Sequence, residues 1–352
     1  MAHGVTAMEI ACGVTAESHN GFTSSAYHAN VFFDGRFLIQ AAVEGRRFFA
    51  FKEEFHLNVF IYVSGTEYNS GVVPLAGTYT MGLLELLTTG YEFEAAKKWC
   101  AGMEYPLIMI SFAYVVTIWS IKFFMADRKP FDLQRPLNIW NAGLAIFSIF
   151  GFIRLTPTFL GEILNKGIQS TYTTIGPLQE DNVAGYWTFL WVFSKIPELV
   201  DTIFIVLRKK PLMFMHWYHH ALTGYFSFVN YSTNNAYMIW VVWINYFIHS
   251  FMYSYYMLRS FRFRVPPQVA QLITGAQIVQ FLITHAVMAH LAILVLTHPG
   301  NDFAVTFKGF FIGAFMEITY LMLWFQFYHK SYIANGGKKY NDHQAAVKGK
   351  KQ

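Results

Sequence analysis

Residues 211–264 read PLMFMHWYHHALTGYFSFVNYSTNNAYMIWVVWINYFIHSFMYSYYMLRSFRFR. Two apolar stretches, 213–231 and 236–258, are joined by the short polar link 232–235. Each is close to the ~20 residues a bilayer-crossing helix needs. Arg208, Lys209 and Lys210 precede the pair, Arg259, Arg262 and Arg264 follow it, and the link carries no Lys or Arg. Because cytoplasmic loops are enriched in Lys and Arg, both outer ends of the pair are expected on the cytosolic side.

Outward from this pair, five more candidate spans follow the same criterion, at 106–125, 138–155, 186–207, 268–294 and 305–328. The third span is the least regular, since Lys195, Glu198 and Asp201 interrupt it. Arg128, Lys129 and Arg135 follow the first span, and Lys330, Lys338, Lys339, Lys348, Lys350 and Lys351 lie in the tail. The alternate links hold only Arg154 and Lys166, or no basic residue at all. Seven spans give a clean alternation, with the C-terminus cytosolic and the N-terminus lumenal; six or eight break it. The expected architecture is therefore all-α and polytopic. Residues 1–104 form a mixed N-terminal extension, 105–330 a membrane domain and 331–352 a basic tail.

Composition agrees. Of 352 residues 54% are hydrophobic and only 13% charged, with a mean hydropathy of +0.31, where a soluble domain carries about 25% charge. Disordered, collagen-like and nucleic-acid-binding arrays are excluded, and the net charge of +5 reflects loop placement rather than a nucleic-acid partner. Residues 1–20 show no basic start with an apolar run, so no cleaved signal peptide is expected. Phe48–Phe51 and His56–Val63 are apolar enough for short strands or an interfacial patch. The two cysteines, Cys12 and Cys100, precede the first apolar span, so neither a disulfide framework nor a thiolate nucleophile in the membrane body is expected.

Polar groups inside spans are costly and usually face a cavity or a partner. Four clusters break the apolar pattern. Lys195, Glu198 and Thr202 fall at i, i+3 and i+7, with Asp201 beside them; an ion pair between helices would explain them as well as a site. His216, His219 and His220 stand at i, i+3 and i+4, placing three imidazoles on one face, and imidazole can be a base, a nucleophile or a metal ligand. Asn245, His249, Met252, Tyr253 and Tyr256 share another face, as would an aromatic helix contact. Gln271, Thr274, Gln277, Gln280 and Phe281 form the last, although membrane helices also use such amides for packing. Each cluster lies a short helical distance from a basic link, at ~1.5 Å per residue. A shared depth fits one polar pocket open to the cytosol. The opposite halves carry Phe193, Phe226, Phe228, Trp240 and Trp243, suited to an apolar chain.

These residues resemble the signature of the ELO-type very-long-chain fatty acid elongases. Lys195–Phe204 resembles the KxPELxDTxF element and His216–His220 the HxxHH box in its HWYHH form. Asn245–Tyr256 resembles NxxxHxxMYxYY, and Thr274–Phe281 resembles TxxQxxQF. The likeness runs from about Tyr91 to His329. With Tyr91–Glu94 and Phe147–Gly151 it points to the subgroup acting on saturated and monounsaturated long chains, from which about 70 extra N-terminal residues depart.

The resemblance implies six of the seven spans around a narrow acyl tunnel, and condensation of acyl-CoA with malonyl-CoA to 3-ketoacyl-CoA, CO2 and CoA. No metal or bound cofactor is implied. His219 is implied as nucleophile, and His249 as its partner, acting as base or enolate stabiliser. His216 and His220 orient the box, while Asp201 and Glu198 orient Lys195 and the imidazoles. Asn245, Lys195 and Gln277 are candidate hydrogen-bond donors to the developing enolate. Thr202, Tyr253, Tyr256, Thr274, Gln277 and Gln280 are candidate substrate contacts. Arg208, Lys209, Lys210, Arg262 and Arg264 are candidates to attract the anionic nucleotide end of coenzyme A, although membrane orientation alone would also place them there. Lys348 and Lys350 resemble a dilysine signal for retrieval to the endoplasmic reticulum. Expected partners are membrane lipid, the ketoacyl reductase, dehydratase and enoyl reductase of the cycle, and a second copy of the chain. Two other readings are a metal-dependent desaturase or hydroxylase, which needs several histidine boxes, and a seven-span receptor or transporter. Asn230-Tyr231-Ser232 is a glycosylation sequon on the expected lumenal side, very close to the fourth span.

Overall fold

The computed structural model describes residues 90–334 and four strands nearer the N-terminus. The chain falls into two units, Met1–Tyr79 and Thr80–Gln352. In the first, β1 (Ala29–Phe33), β2 (Phe37–Val43), β3 (Arg46–Glu53) and β4 (His56–Asn58) form an antiparallel meander in sequence order. Leu38 stands opposite Phe51, which in turn stands opposite Asn58. Of the two stretches expected to form short strands or an interfacial patch, β3 contains Phe48–Phe51 and β4 covers His56–Asn58, while 59–63 lie outside the described residues. Cys12, Lys348 and Lys350 lie outside the described residues.

Among the described residues of the second unit, the regular elements are all helical. Its elements are α1 (Phe93–Gly102), α2 (Glu104–Phe124), α3 (Gln134–Lys166), α4 (Ser170–Thr173), α5 (Pro177–Glu180) and α6 (Ala184–Ser194). There follow α7 (Val200–Leu207), α8 (Phe214–Ser232), α9 (Met238–Ser260), α10 (Pro267–Thr297) and α11 (Phe307–Tyr328), which ends in a π-helical turn, His329–Ile333. Four helical segments among the described residues are long and apolar enough to cross a membrane: α2, α3, α10 and α11 with its π turn. This is a multi-pass membrane protein. Helices suit that solvent because every mid-helix N–H and C=O is satisfied within its own segment. In α2 only Leu107, Tyr114 and Ile118 are buried, one narrow stripe, whereas Phe112 and Phe123 are exposed.

The third expected span, 186–207, is not one continuous α-helix. α6 stops at Ser194, a 3-10 turn covers Pro197–Leu199, and α7 starts at Val200. Through the break the backbone bonds run i to i−3, from Lys195 N to Val192 O, Ile196 N to Phe193 O and Leu199 N to Ile196 O. Pro197 has no N–H and so cannot continue the i−4 ladder. The second span runs further than expected, to Lys166 rather than 155, passing through Pro157. Tertiary packing carries it: Phe159, two residues on, is 1% exposed and stacks on Trp243 with ring centroids 4.4 Å apart.

The helices pack in a circuit. α3 touches α6, α6 touches α8, α8 touches α11, α11 touches α10, α10 touches α9, and α9 returns to α3. α2 packs against α7 and α8, while α1 lies on α8 and α6 and buries Cys100. The α3–α9 approach is close at Gly151, where a Cβ would stand 2.3 Å from the Tyr246 ring.

The basic links meet at one end of this circuit. Phe131 N donates to Leu207 O (3.1 Å), and Lys209 Nζ donates to Ala126 O (2.8 Å) and Arg128 O (3.0 Å). Gln134 Nε2 donates to Ser260 O, and Gln271 to the Tyr328 hydroxyl (3.0 Å). The poorly basic links meet at the other end, where Ala304 N donates to Thr173 O (2.8 Å) and Ala236 N to Ala304 O (2.9 Å). Near it, Asn230 is fully buried; its amide donates to Phe226 O (3.0 Å) and accepts from the Tyr237 hydroxyl (2.7 Å).

Candidate active site

Within the circuit, toward the basic end, lies a cavity of about 500 Å³. All four polar clusters reach its wall. α7 supplies Asp201, α8 supplies His216, His219 and His220, and α9 supplies Asn245, His249, Met252, Tyr253 and Tyr256. α10 contributes Thr274, Gln277, Gln280 and Phe281, and α11 contributes Trp324. Arg208 and Lys210 also line it.

The histidine helix is held from two sides. The His216 and His220 rings lie 4.5 Å apart, and His216 Nε2 is 3.0 Å from the Thr202 hydroxyl, itself 2.7 Å from the Tyr114 hydroxyl on α2. On the α11 side Tyr320 donates to the carbonyl of His219 (2.8 Å), which also accepts from Thr223 one turn further along α8 itself (2.7 Å). The His219 ring packs against the rings of Tyr320 and Trp324, at 4.7 and 5.4 Å. Trp324 Nε1 in turn donates to Gln277 Oε1 (3.0 Å), which fixes that amide so that its nitrogen faces Met252 Sδ at 3.4 Å.

The broken segment supplies the charges. Lys195 Nζ and Glu198 Oε1 are 2.8 Å apart with both side chains at most 5% exposed, and Ser194 Oγ donates to the same oxygen (2.8 Å). The Lys195 ammonium also sits 4.4 Å above the Trp191 ring, a cation–π arrangement. Neither Lys195 nor Glu198 belongs to the cavity wall; they form a paired layer behind it. Asp201 reaches the wall and is held by Trp140 Nε1 on one oxygen and the Tyr253 hydroxyl (2.9 Å) on the other. On α9 the Asn245 amide bridges Trp191 Nε1 (2.8 Å) and His249 Nε2 (3.0 Å).

Several candidate residues sit elsewhere. Thr202 is buried as the link between Tyr114 and His216 rather than a wall residue. Lys209 caps the link after α2 with its amine. Arg262 and Arg264 are exposed in the α9–α10 link and do not line the cavity. Phe226, Phe228 and Trp240, expected to face an acyl chain, are packed in the core and are not part of this wall. A second, largely apolar cavity of about 960 Å³ runs between α9 and α10 and shares Ile248 and Gln280 with the first. Sequence reading missed Trp140, Trp191, Tyr320 and Trp324. Their signal was an indole or phenol placed among apolar residues, which needs a partner once buried. Among the described residues no group of three or more His, Cys, Asp or Glu is arranged to hold a metal ion.

Residues 99–340 match the family model described as ELO: GNS1/SUR4 family. The chain is 46% identical over 232 residues to long chain fatty acid elongase 1 of Caenorhabditis elegans, covering 66% of this chain and 80% of that protein. It is 37% identical over 226 residues to very long chain fatty acid elongase 6 of Drosophila melanogaster, covering 64% and 72% of the two. With very long chain fatty acid elongase 6 of Rattus norvegicus it shares 35% over 265 residues, covering 72% and 96%.

Proposed function

The chain belongs to the ELO (GNS1/SUR4) family of fatty acid elongation enzymes, and from that premise we propose that it is the condensing enzyme of the cycle, joining acyl-CoA to malonyl-CoA. One observation carries this reading: a single cavity is walled by three imidazoles of α8, by His249 and Asn245 of α9 and by the amides of α10.

In the first step the imidazole of His219 attacks the thioester carbonyl. The C–N bond forms, the C–S bond breaks, and CoA leaves as the thiol with the imidazole proton. Thr223 Oγ1 stands 3.4 Å from His219 Nδ1 while its own hydrogen goes to the carbonyl of residue 219. An Nδ1–H facing that hydroxyl leaves Nε2 with the lone pair a nucleophile needs. In the second step malonyl-CoA loses CO2, and the resulting enolate carbon attacks the acyl carbonyl. The C–C bond forms, the acyl–imidazole bond breaks, and one proton is taken up by the departing imidazole. His249 and Asn245 stand beside this centre, and enolate charge is stabilised by preorganised donors. Arg208 and Lys210 give the cavity a cationic rim for the coenzyme A phosphates.

The same reading takes the chain across the membrane seven times, with six crossings around an acyl tunnel and the basic end in the cytosol. Location in the endoplasmic reticulum, retrieval through Lys348 and Lys350, a lumenal N-terminus, saturated or monounsaturated long-chain substrates and association with the other cycle enzymes or a second copy belong to it as well. The test is His219→Ala in purified protein given labelled acyl-CoA and malonyl-CoA. Loss of both the covalent acyl adduct and labelled CO2 is expected. A folded His219→Ala protein that still acquires the adduct would overturn the nucleophile assignment.

A further inference from the structure

We propose that Trp191 is a positioning residue that sets which ring nitrogen of His249 carries the hydrogen, acting through the Asn245 amide. This rests on the condensing-enzyme reading and decides between the two roles open to His249 within it.

Trp191 is 1% exposed, and its indole Nε1 can only donate. It meets Asn245 Oδ1 at 2.8 Å. Turning the amide over would set N–H against N–H inside a buried core, so the amide has one orientation. Its nitrogen, also a pure donor, then faces His249 Nε2 at 3.0 Å. Nε2 must therefore accept, and the ring hydrogen resides on Nδ1. An imidazolium, which donates from both nitrogens, would again set donor against donor. His249 is thus held neutral as its Nδ1–H form, with Nε2 occupied. A ring in that state offers the substrate a hydrogen bond and not a lone pair. It suits the enolate oxygen released by decarboxylation, and it does not suit a general base.

The indole is itself fixed. The ammonium of Lys195 lies 4.4 Å over the Trp191 ring, and Glu198 holds that ammonium at 2.8 Å. The buried ion pair of the broken segment thereby reaches His249 through Trp191 without touching it. Trp191→Phe keeps an aromatic ring under Lys195 but removes the N–H. The Asn245 amide is then free to turn, and His249 can take the other tautomer. Asn245→Asp goes further, because a carboxylate accepts from Trp191 and from Nε2–H together and so fixes the opposite tautomer.

Two measurements test this on the full chain in proteoliposomes. The first is 15N NMR of histidine-labelled protein, with the His249 signals assigned by comparison with His249→Gln. Wild type is expected to show the hydrogen on Nδ1, Trp191→Phe a mixture, and Asn245→Asp the hydrogen on Nε2. The second is the separation of half-reactions. Trp191→Phe should acylate His219 at a rate and acyl-CoA KM within about twofold of wild type, while the condensation kcat falls about tenfold or more. Asn245→Asp should lose about a hundredfold or more, as wrong-tautomer variants elsewhere do. A wild-type signal with the hydrogen on Nε2 overturns the proposal even where a variant fails to fold. So does a Trp191→Phe enzyme with wild-type kcat. If His249→Gln itself condenses at the wild-type rate, the reading of the site fails first; if His249→Gln is inactive and Trp191→Phe is not impaired, only the relay fails.

Discussion

Glu198 is the residue whose removal should separate folding from chemistry. Its Oε1 accepts from Lys195 Nζ and Ser194 Oγ, both at 2.8 Å, and the residue is 3% exposed. Glu198→Ala leaves the buried Lys195 ammonium against the Trp191 face without its hydrogen-bonded counter-ion. Removing one partner of a buried pair costs about 3–5 kcal/mol, because the surviving charge is desolvated without compensation. At roughly 2–4 °C per kcal/mol for a domain of this size, Tm should fall on the order of 10 °C. The double variant Lys195→Met, Glu198→Leu replaces both charges with apolar groups of similar bulk. Such replacements are often neutral or stabilising, so the double variant should recover most of the lost Tm. Its condensation rate should stay at least tenfold down, since the ammonium that fixes the Trp191 ring is gone. The assay pairs thermal unfolding in nanodiscs with labelled-CO2 release on the same samples. Glu198→Ala with an unchanged Tm would refute the buried-pair account. A double variant with full activity would show that the pair serves packing alone.

Four further outcomes follow from named contacts. Tyr320→Phe removes the hydroxyl that donates to the carbonyl of His219 at 2.8 Å; a loss of about 1–2 kcal/mol in stability and slower acyl-adduct formation are expected by calorimetry and stopped-flow labelling. Gly151→Ala would drive a Cβ to 2.3 Å from the Tyr246 ring; α3 must move off α9, costing about 1–3 kcal/mol, visible as a lower Tm. Arg208→Ala with Lys210→Ala should raise the KM for acyl-CoA about tenfold at low ionic strength with kcat little changed. That difference should shrink as salt screens the wild-type rim, which a KM series against salt will check. Asn230→Gln should reduce the yield of folded protein, because the longer amide cannot keep both the Tyr237 and the Phe226 contacts; size-exclusion recovery measures it.

The site was legible because polar residues are conspicuous in apolar spans. His216, His219 and His220 could be placed on one face by spacing alone, and their common depth with Asn245 and Thr274 followed from the nearby basic links. Spacing says nothing about what stands opposite. The hold on Asp201 comes from Trp140, 61 positions away, and the hold on Asn245 from Trp191, 54 away; no local pattern encodes either. Lys195, Glu198 and Asp201 marked the third span as irregular, but the break after Ser194 turns on Pro197, and hydropathy cannot tell an interrupted span from a polar continuous one. Arg262 and Arg264 show the limit of charge as a signal. Basic residues at a membrane edge look the same whether they orient the chain or attract a phosphate, and their exposed place outside the cavity wall fits either role.

The burial of Asn230 bears on how sidedness in the bilayer can be measured. A carbohydrate tag at a native acceptor is a common reporter of which face a loop occupies. Here the acceptor amide is buried within the fold, engaged by a phenol and a main-chain carbonyl, so the packed protein leaves no room for an oligosaccharide at that position. An untagged polypeptide would carry no information about its direction of insertion. A reporter asparagine engineered into the exposed 298–302 turn, well clear of packed side chains, would have to supply it.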